Sequence, residues 1–261
     1  AATTAHASTL AFELTSGRRP VIVNCGSGAS FGPAWQRAGR ATPSHSTLGI
    51  DGVSSSRFGA TAPGRPGPDA RAEALADPPR DVRLQQNRTA QASNLMVGHD
   101  GYVVTHGLTH VRRLSLSRDG RSLSGQDTLG AMTEPERATF EARLTRSIRD
   151  GAEGVDFALR FHLHPDVEAE LSRDGQSVTL VLLSGERWHF AQDGAGELTL
   201  EPSVYLEPAR LRPLGTAQIV VSACVVDYAA QIGWTLEKAE DTPRAIRDVA
   251  AAEEEPGAPY R

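Results

Sequence analysis

Residues 171–194 read LSRDGQSVTLVLLSGERWHFAQDG, and this stretch decides the fold. Two apolar or alternating runs, Val178–Leu183 and Arg187–Ala191, are bounded by Asp174-Gly175, Ser184-Gly185 and Asp193-Gly194. A Gly after Asp or Ser supplies the left-handed backbone that tight hairpins need, and alternation sends every second side chain to one face. Outward from there the same grammar recurs at Ser16-Gly17, Asp51-Gly52 and Asp119-Gly120. Further strands are expected at Thr9–Leu14, Val21–Cys25, Thr47–Asp51, Val82–Arg88, Asn94–Val97 and Val111–Leu116. Asp156–His162, Leu198–Leu206, Gln218–Val226 and Ile232–Glu237 continue the series. Two packed sheets would bury all of these, so the expected fold is all-β: a large antiparallel two-sheet β-sandwich with long loops.

Three stretches depart from that rhythm. Gly59–Arg80 is rich in Pro, Gly and Ala and reads as a long surface loop inserted in the sandwich. Thr133–Arg149 has helical spacing at Phe140, Leu144 and Ile148 behind a Thr133-Glu134-Pro135-Glu136 start, which predicts a short capped helix. Asp241–Arg261, with Glu253-Glu254-Glu255, reads as solvated. The expected organisation is one sandwich domain over 1–237 with 59–80 as an insertion, then a flexible polar tail over 238–261.

Composition bounds the function. A net charge of -5 gives no electrostatic case for nucleic acid. No apolar run approaches the roughly 20 residues that cross a bilayer, so no membrane partner is expected. Among 27 Lys and Arg residues only Lys238 is lysine, and Arg suits two-point contact with carboxylate or sulfate. Cys25 and Cys224 are too few for a disulfide scaffold and too far apart for a metal motif.

Candidate chemistry collects at strand ends. His6 precedes Leu10–Leu14, Asn24 lies at the end of Val21–Cys25, and His45 leads into Thr47–Asp51. Two imidazoles and a side-chain oxygen there could converge on one ion, and such ligands suit zinc. Histidines that make ordinary hydrogen bonds at strand ends are the other reading. Arg37 and Arg40, read as a loop before His45, could meet a uronate or a sulfate. His99 and His110 are expected in loop hydrogen bonds, and His162 and His164 on one face of a strand at a sheet surface or domain contact.

The linked order of motifs resembles the heparinase II/III-like polysaccharide lyase family. It runs through His6-Ala7-Ser8, Phe12-Glu13-Leu14, Gly17-Arg18-Arg19-Pro20-Val21-Ile22-Val23-Asn24 and Ser44-His45-Ser46-Thr47-Leu48. Further similarity lies at Gly98-His99-Asp100-Gly101-Tyr102, His110-Val111-Arg112-Arg113 and Arg160-Phe161-His162-Leu163-His164-Pro165. The resemblance implies a β-sandwich joined to an upstream α/α-toroid of the same gene product, working on an anionic uronate polysaccharide by β-elimination. It implies a periplasmic or secreted location. It also implies a structural zinc, with His6 and His45 at two ligand positions and Asn24 where the family has Asp. Thr4 stands at the family's catalytic histidine, and the toroid supplies the family's catalytic Tyr, so the chain alone is expected to be inactive. Two functions are therefore carried forward: the β-sandwich portion of a lyase, lining the substrate cleft, and a glycan-binding or scaffolding module that has lost the chemistry.

Overall fold

A computed structural model describes residues 4–59, 74–208 and 210–239. In chain order its strands are β1 (Leu14–Ser16), β2 (Arg19–Val23), β3 (Leu48–Ile50), β4 (Arg57–Phe58), β5 (Leu75–Asp77), β6 (Val82–Arg88), β7 (Ala92–Tyr102) and β8 (Leu108–Ser117). They continue as β9 (Ser122–Gly130), β10 (Val155–Leu163), β11 (Val167–Leu171), β12 (Ser177–Leu182), β13 (Arg187–Gln192), β14 (Glu197–Tyr205), β15 (Leu214–Val225) and β16 (Ala229–Lys238). The helices are α1 (Pro33–Arg40), α2 (Val103–His106) and α3 (Glu134–Arg149). One sheet has the order β1-β2-β10-β15-β14, with β3 also on β10; the other is eight-stranded, β11-β12-β13-β16-β9-β8-β7-β6. The pairs are antiparallel, as the turn chemistry predicted.

Alternation places the core between the sheets. On β10, Val155, Phe157, Leu159, Phe161 and Leu163 point inward and are buried. Trp188 and Phe190 of β13 and Ile232, Trp234 and Leu236 of β16 are buried opposite them. Phe161 is the hub, with ring centroids 4.8 Å from Trp234 and 5.0 Å from Phe190. Each such side chain contributes about 1.5–3 kcal/mol by leaving water. Gly125 of β9 is obligatory here: a Cβ on it would lie 2.1 Å from the Trp234 indole.

Ser117-Arg118-Asp119-Gly120 and Ser172-Arg173-Asp174-Gly175 build the same hairpin twice. In each, the serine hydroxyl donates to the aspartate at 2.6 Å, and the glycine takes φ near 70°. The predicted helix is α3. Thr133 caps it, and Glu136 reaches back to the Thr133 N–H at 3.2 Å, so both orphaned donors are satisfied. Phe140 is buried and Leu144 lies against the core, while Ile148 is exposed.

Several expectations are corrected. The strand expected over Thr9–Leu14 starts only at Leu14, because Leu10 turns at φ 62° and presents its carbonyl to Arg112 Nη1 at 2.9 Å. Arg37 and Arg40 lie on α1, not on a loop. His99 and His110 lie on β7 and β8, not in loops, and their side chains are buried inside the sandwich. The insertion expected over 59–80 contains β5, which pairs with β4; residues 60–73 and the tail beyond 239 lie outside the described residues.

The inward histidines belong to a sealed polar chain. Gly101 N–H donates to His99 Nδ1 at 3.0 Å, and His110 Nδ1 lies 3.3 Å from His99 Nε2. His110 Nε2 meets Asp127 Oδ1 at 2.7 Å. One assignment of protons satisfies every link: both rings neutral, each with N–H on Nε2. Asp127 also accepts from Arg112 Nε at 2.7 Å and from Trp234 Nε1 at 3.0 Å. Burial opposes its ionisation, but the Arg112 charge and the His110 bond prevail and hold the carboxyl at about 2.

Candidate functional site

Arg112 carries that buried chain to the loops above β10. Its Nη1 donates to Leu10 O at 2.9 Å and to Ser46 O at 3.0 Å, fixing the two segments that bear His6 and His45. β2 ends at Val23 and delivers Asn24 beside them. Ser46 Oγ donates to Val23 O at 2.6 Å, and Ala7 N–H donates to Arg40 O at 2.8 Å. Segments far apart in sequence therefore meet with little freedom.

His6 Nδ1 and His45 Nε2 lie 3.0 Å apart. His45 Nδ1 faces Ala41 O at 2.8 Å and must carry a proton to donate there. His45 Nε2 is then a lone pair, and His6 Nδ1–H is its donor. Burial lowers the His45 value to about 4, and burial together with the Arg40 charge lowers that of His6, so both rings are neutral near pH 7. Asn24 is spent differently. Its Oδ1 accepts the Ser46 N–H at 2.9 Å, and its Nδ2 donates to Glu13 Oε1 at 2.9 Å.

His162, Ser203 and Cys25 lie beneath this pair. His162 points outward from β10 but is buried under the 42–46 loop, with Nε2 donating to Pro43 O at 2.9 Å and Nδ1 meeting Ser203 Oγ at 2.8 Å. Burial holds it at about 4. Cys25 Sγ lies 3.4 Å from His162 Nδ1, and burial raises its thiol above the ordinary range. Both cysteines are free. His164 lies just past the end of β10, its ring 5.1 Å from that of Tyr205.

The donor set can be weighed against the zinc that the sequence suggested. His45 has the ligand arrangement, an Nε2 lone pair oriented by an Nδ1–H bond to a carbonyl. His6 would reach an ion through Nδ1 only after moving its proton to Nε2. Asn24 supplies a neutral oxygen already accepting a bond. Among the described residues, no three His, Cys, Asp or Glu side chains are placed to hold a metal. The imidazoles fit an ion; the third position does not supply the anionic ligand.

Of the other expected contacts, Arg40 is 2% exposed, donates from Nε to Ala5 O at 2.8 Å and lies over the Phe58 ring. Arg37 is exposed, its guanidinium 5.2 Å from the Phe58 centroid. Thr4 is exposed beside this cluster in sequence and carries no imidazole. Reading the sequence missed Glu13, Ser203 and Arg112. Only Arg112 left a signal, as a charge at an inward position of an alternating strand.

The family model for the heparinase II/III-like C-terminal region matches residues 1–235. The chain belongs to that family. Its sandwich resembles those of a heparinase III (TM-score 0.64, 11% identity, 91% of this chain and 31% of that one) and of the heparan sulfate lyase HepC of Pedobacter heparinus (TM-score 0.62, 12% identity, 91% and 31%). Identities this low establish the shared fold. A curated relative, FtsZ-localized protein C of Caulobacter vibrioides, is 31% identical over 243 residues, covering 90% of this chain. This heparinase II/III-like chain spans 38% of that relative's length and about a third of the lyases'.

Proposed function

We propose that this chain is the β-sandwich portion of a longer polysaccharide-handling protein, in which it lines a cleft for a uronate-bearing polymer beside an upstream domain and supplies none of the proton transfers of β-elimination. Elimination needs a base for the proton beside the carboxylate, a group to neutralise that carboxylate and an acid for the leaving oxygen. One observation carries the reading: the protons of the His6–His45 pair are already committed, one between the rings and one to Ala41, so neither ring has a proton to give the leaving oxygen. Thr4 offers only a hydroxyl, and Asn24 is tied to Glu13 and Ser46.

The test uses the full-length protein with heparan sulfate and alginate, scoring binding and unsaturated product separately. Binding without a new double bond is expected. Unsaturated product would assign the catalytic groups to the upstream domain, and loss of that product in His6→Ala with polymer binding retained would overturn the reading that this sandwich supplies no proton transfer.

The relative localised with FtsZ favours a second reading, since it is 31% identical where the lyases are 11–12%. The sandwich would then be a scaffold for an FtsZ-associated assembly. Co-sedimentation with FtsZ polymers, together with no affinity for either polysaccharide, would decide for it.

A further inference from the structure

The outer face of the eight-stranded sheet carries an open trough of about 830 Å³. The register arranges it in two rows running across the strands. Gln85, Met96, Arg113, Gln126 and Gly233 lie abreast on β6, β7, β8, β9 and β16. Beside them run Asn87, Asn94, Ser115, Ser124, Thr235 and Ala191, the last on β13. These positions alternate with the inward Arg112, Leu123, Asp127 and Trp234, so they face away from the core.

Small residues floor the trough and carboxamides fill its β6–β7 side. Amides both donate and accept, as the hydroxyl pairs of a sugar do. Near its centre Arg113 bonds Gln126 Oε1 at 3.1 Å and touches Met96 Sδ at 3.5 Å, and it has no carboxylate partner among the described residues. The carboxylate at the far end, Asp193, already accepts Gly233 N–H at 2.7 Å and Ala195 N–H at 3.1 Å. A guanidinium left uncompensated among amides complements an anion that brings two oxygens. Six strands at about 4.8 Å spacing give roughly 24 Å of length, room for an extended chain.

We infer that this trough is a binding site for a carboxylate-bearing oligosaccharide laid across the strands, with one carboxylate on Arg113. It shares its polymer class with the function proposed above but none of its residues.

The two methionines, Met96 in the trough and Met132 at the start of α3, make the test direct. The chain is labelled at its methionine methyls and titrated with alginate oligomers, and with neutral cello-oligomers as control. Alginate should shift the Met96 signal far more than that of Met132, with affinity reduced about tenfold in Arg113→Gln and partly kept in Arg113→Lys. Absence of alginate binding would overturn the site. Binding that leaves Met96 unmoved would also overturn it, yet would leave the His6–His45 cleft standing. Equal binding of the neutral oligomer, with no effect of Arg113→Gln, would remove the anion from the proposal. Arg113 is exposed, so neither variant disturbs the core.

Discussion

Between the sheets, His99 and His110 are sealed against Asp127 and Arg112, while at the loops His6 and His45 share one proton at a half-buried edge. Both pairs are neutral imidazoles joined by hydrogen bonds. In the core chain every ring nitrogen is fixed by a partner on the sandwich framework. At the edge His6 Nε2 has no partner among the described residues, and Asn24 stands where a charge would make a ligand set. The first cluster holds the fold; the second is where this chain's chemistry can change. Arg112 joins them, since it neutralises Asp127 and also grips Leu10 and Ser46.

The largest effect should come from cutting that link. Arg112→Met leaves a buried carboxylate without its cation, which costs about 3–5 kcal/mol. At roughly 2–4 °C per kcal/mol, the melting temperature should fall by about 6–20 °C. The double variant Arg112→Met, Asp127→Leu should be less damaged than the single one, because it removes the stranded charge. Equal damage in both would mean that the grip on Leu10 and Ser46, not the ion pair, is what matters.

Acid should act on both clusters. His99 is held at about 3, and His45 and His162 at about 4, against an ordinary value of 6.5. Below about pH 6.5 the unfolded chain binds protons that the folded one refuses, so stability is full above that value and is lost as pH falls toward 4. Each of these histidines contributes roughly 2 kcal/mol of the loss by about pH 5. Thermal melts from pH 7.5 to 5 check this. A flat profile would mean that the rings take up protons without unfolding.

Alternation and turn chemistry explain which parts of this were legible in sequence. Val82–Arg88 was read to the residue, and β10, β12, β13 and β16 were found within a few positions, because apolar residues alternate and Asp-Gly or Ser-Gly closes many of the turns. β9 was missed. Its inward positions are Leu123, Gly125, Asp127 and Leu129, and two of these four are not apolar. Gly125 is there for Trp234 and Asp127 for Arg112, reasons that exist only once the strands have paired. For the same reason His99 and His110 looked like loop residues. At the edge site the meeting of His6 and His45 was expected from the family resemblance, which sets both at ligand positions, whereas the engagement of Asn24 with Glu13 depended on a tertiary contact that no spacing encodes.

Of moderate size is the cap of α3, where Thr133→Ala should cost about 1 kcal/mol and leave both histidine clusters as they are. The smallest effect on stability, and the sharpest on chemistry, is expected from Asn24→Asp. The new carboxylate keeps an acceptor for the Ser46 N–H but loses the donor to Glu13, so two acids then face each other beside His6 and His45. Without metal, stability should change by less than about 1 kcal/mol, because Asn24 is half-buried and Glu13 is exposed. With metal, two imidazoles and two carboxylates form a set that zinc takes readily. Elemental analysis after dialysis against zinc should show near one ion per chain in the variant, and binding weaker by about tenfold or more in the parent. Equal zinc in both would show that the imidazole pair alone suffices, and the edge cluster would then be a metal site that merely tolerates Asn24. None in either would mark the shared proton as its resting state, and would align it with the core chain after all.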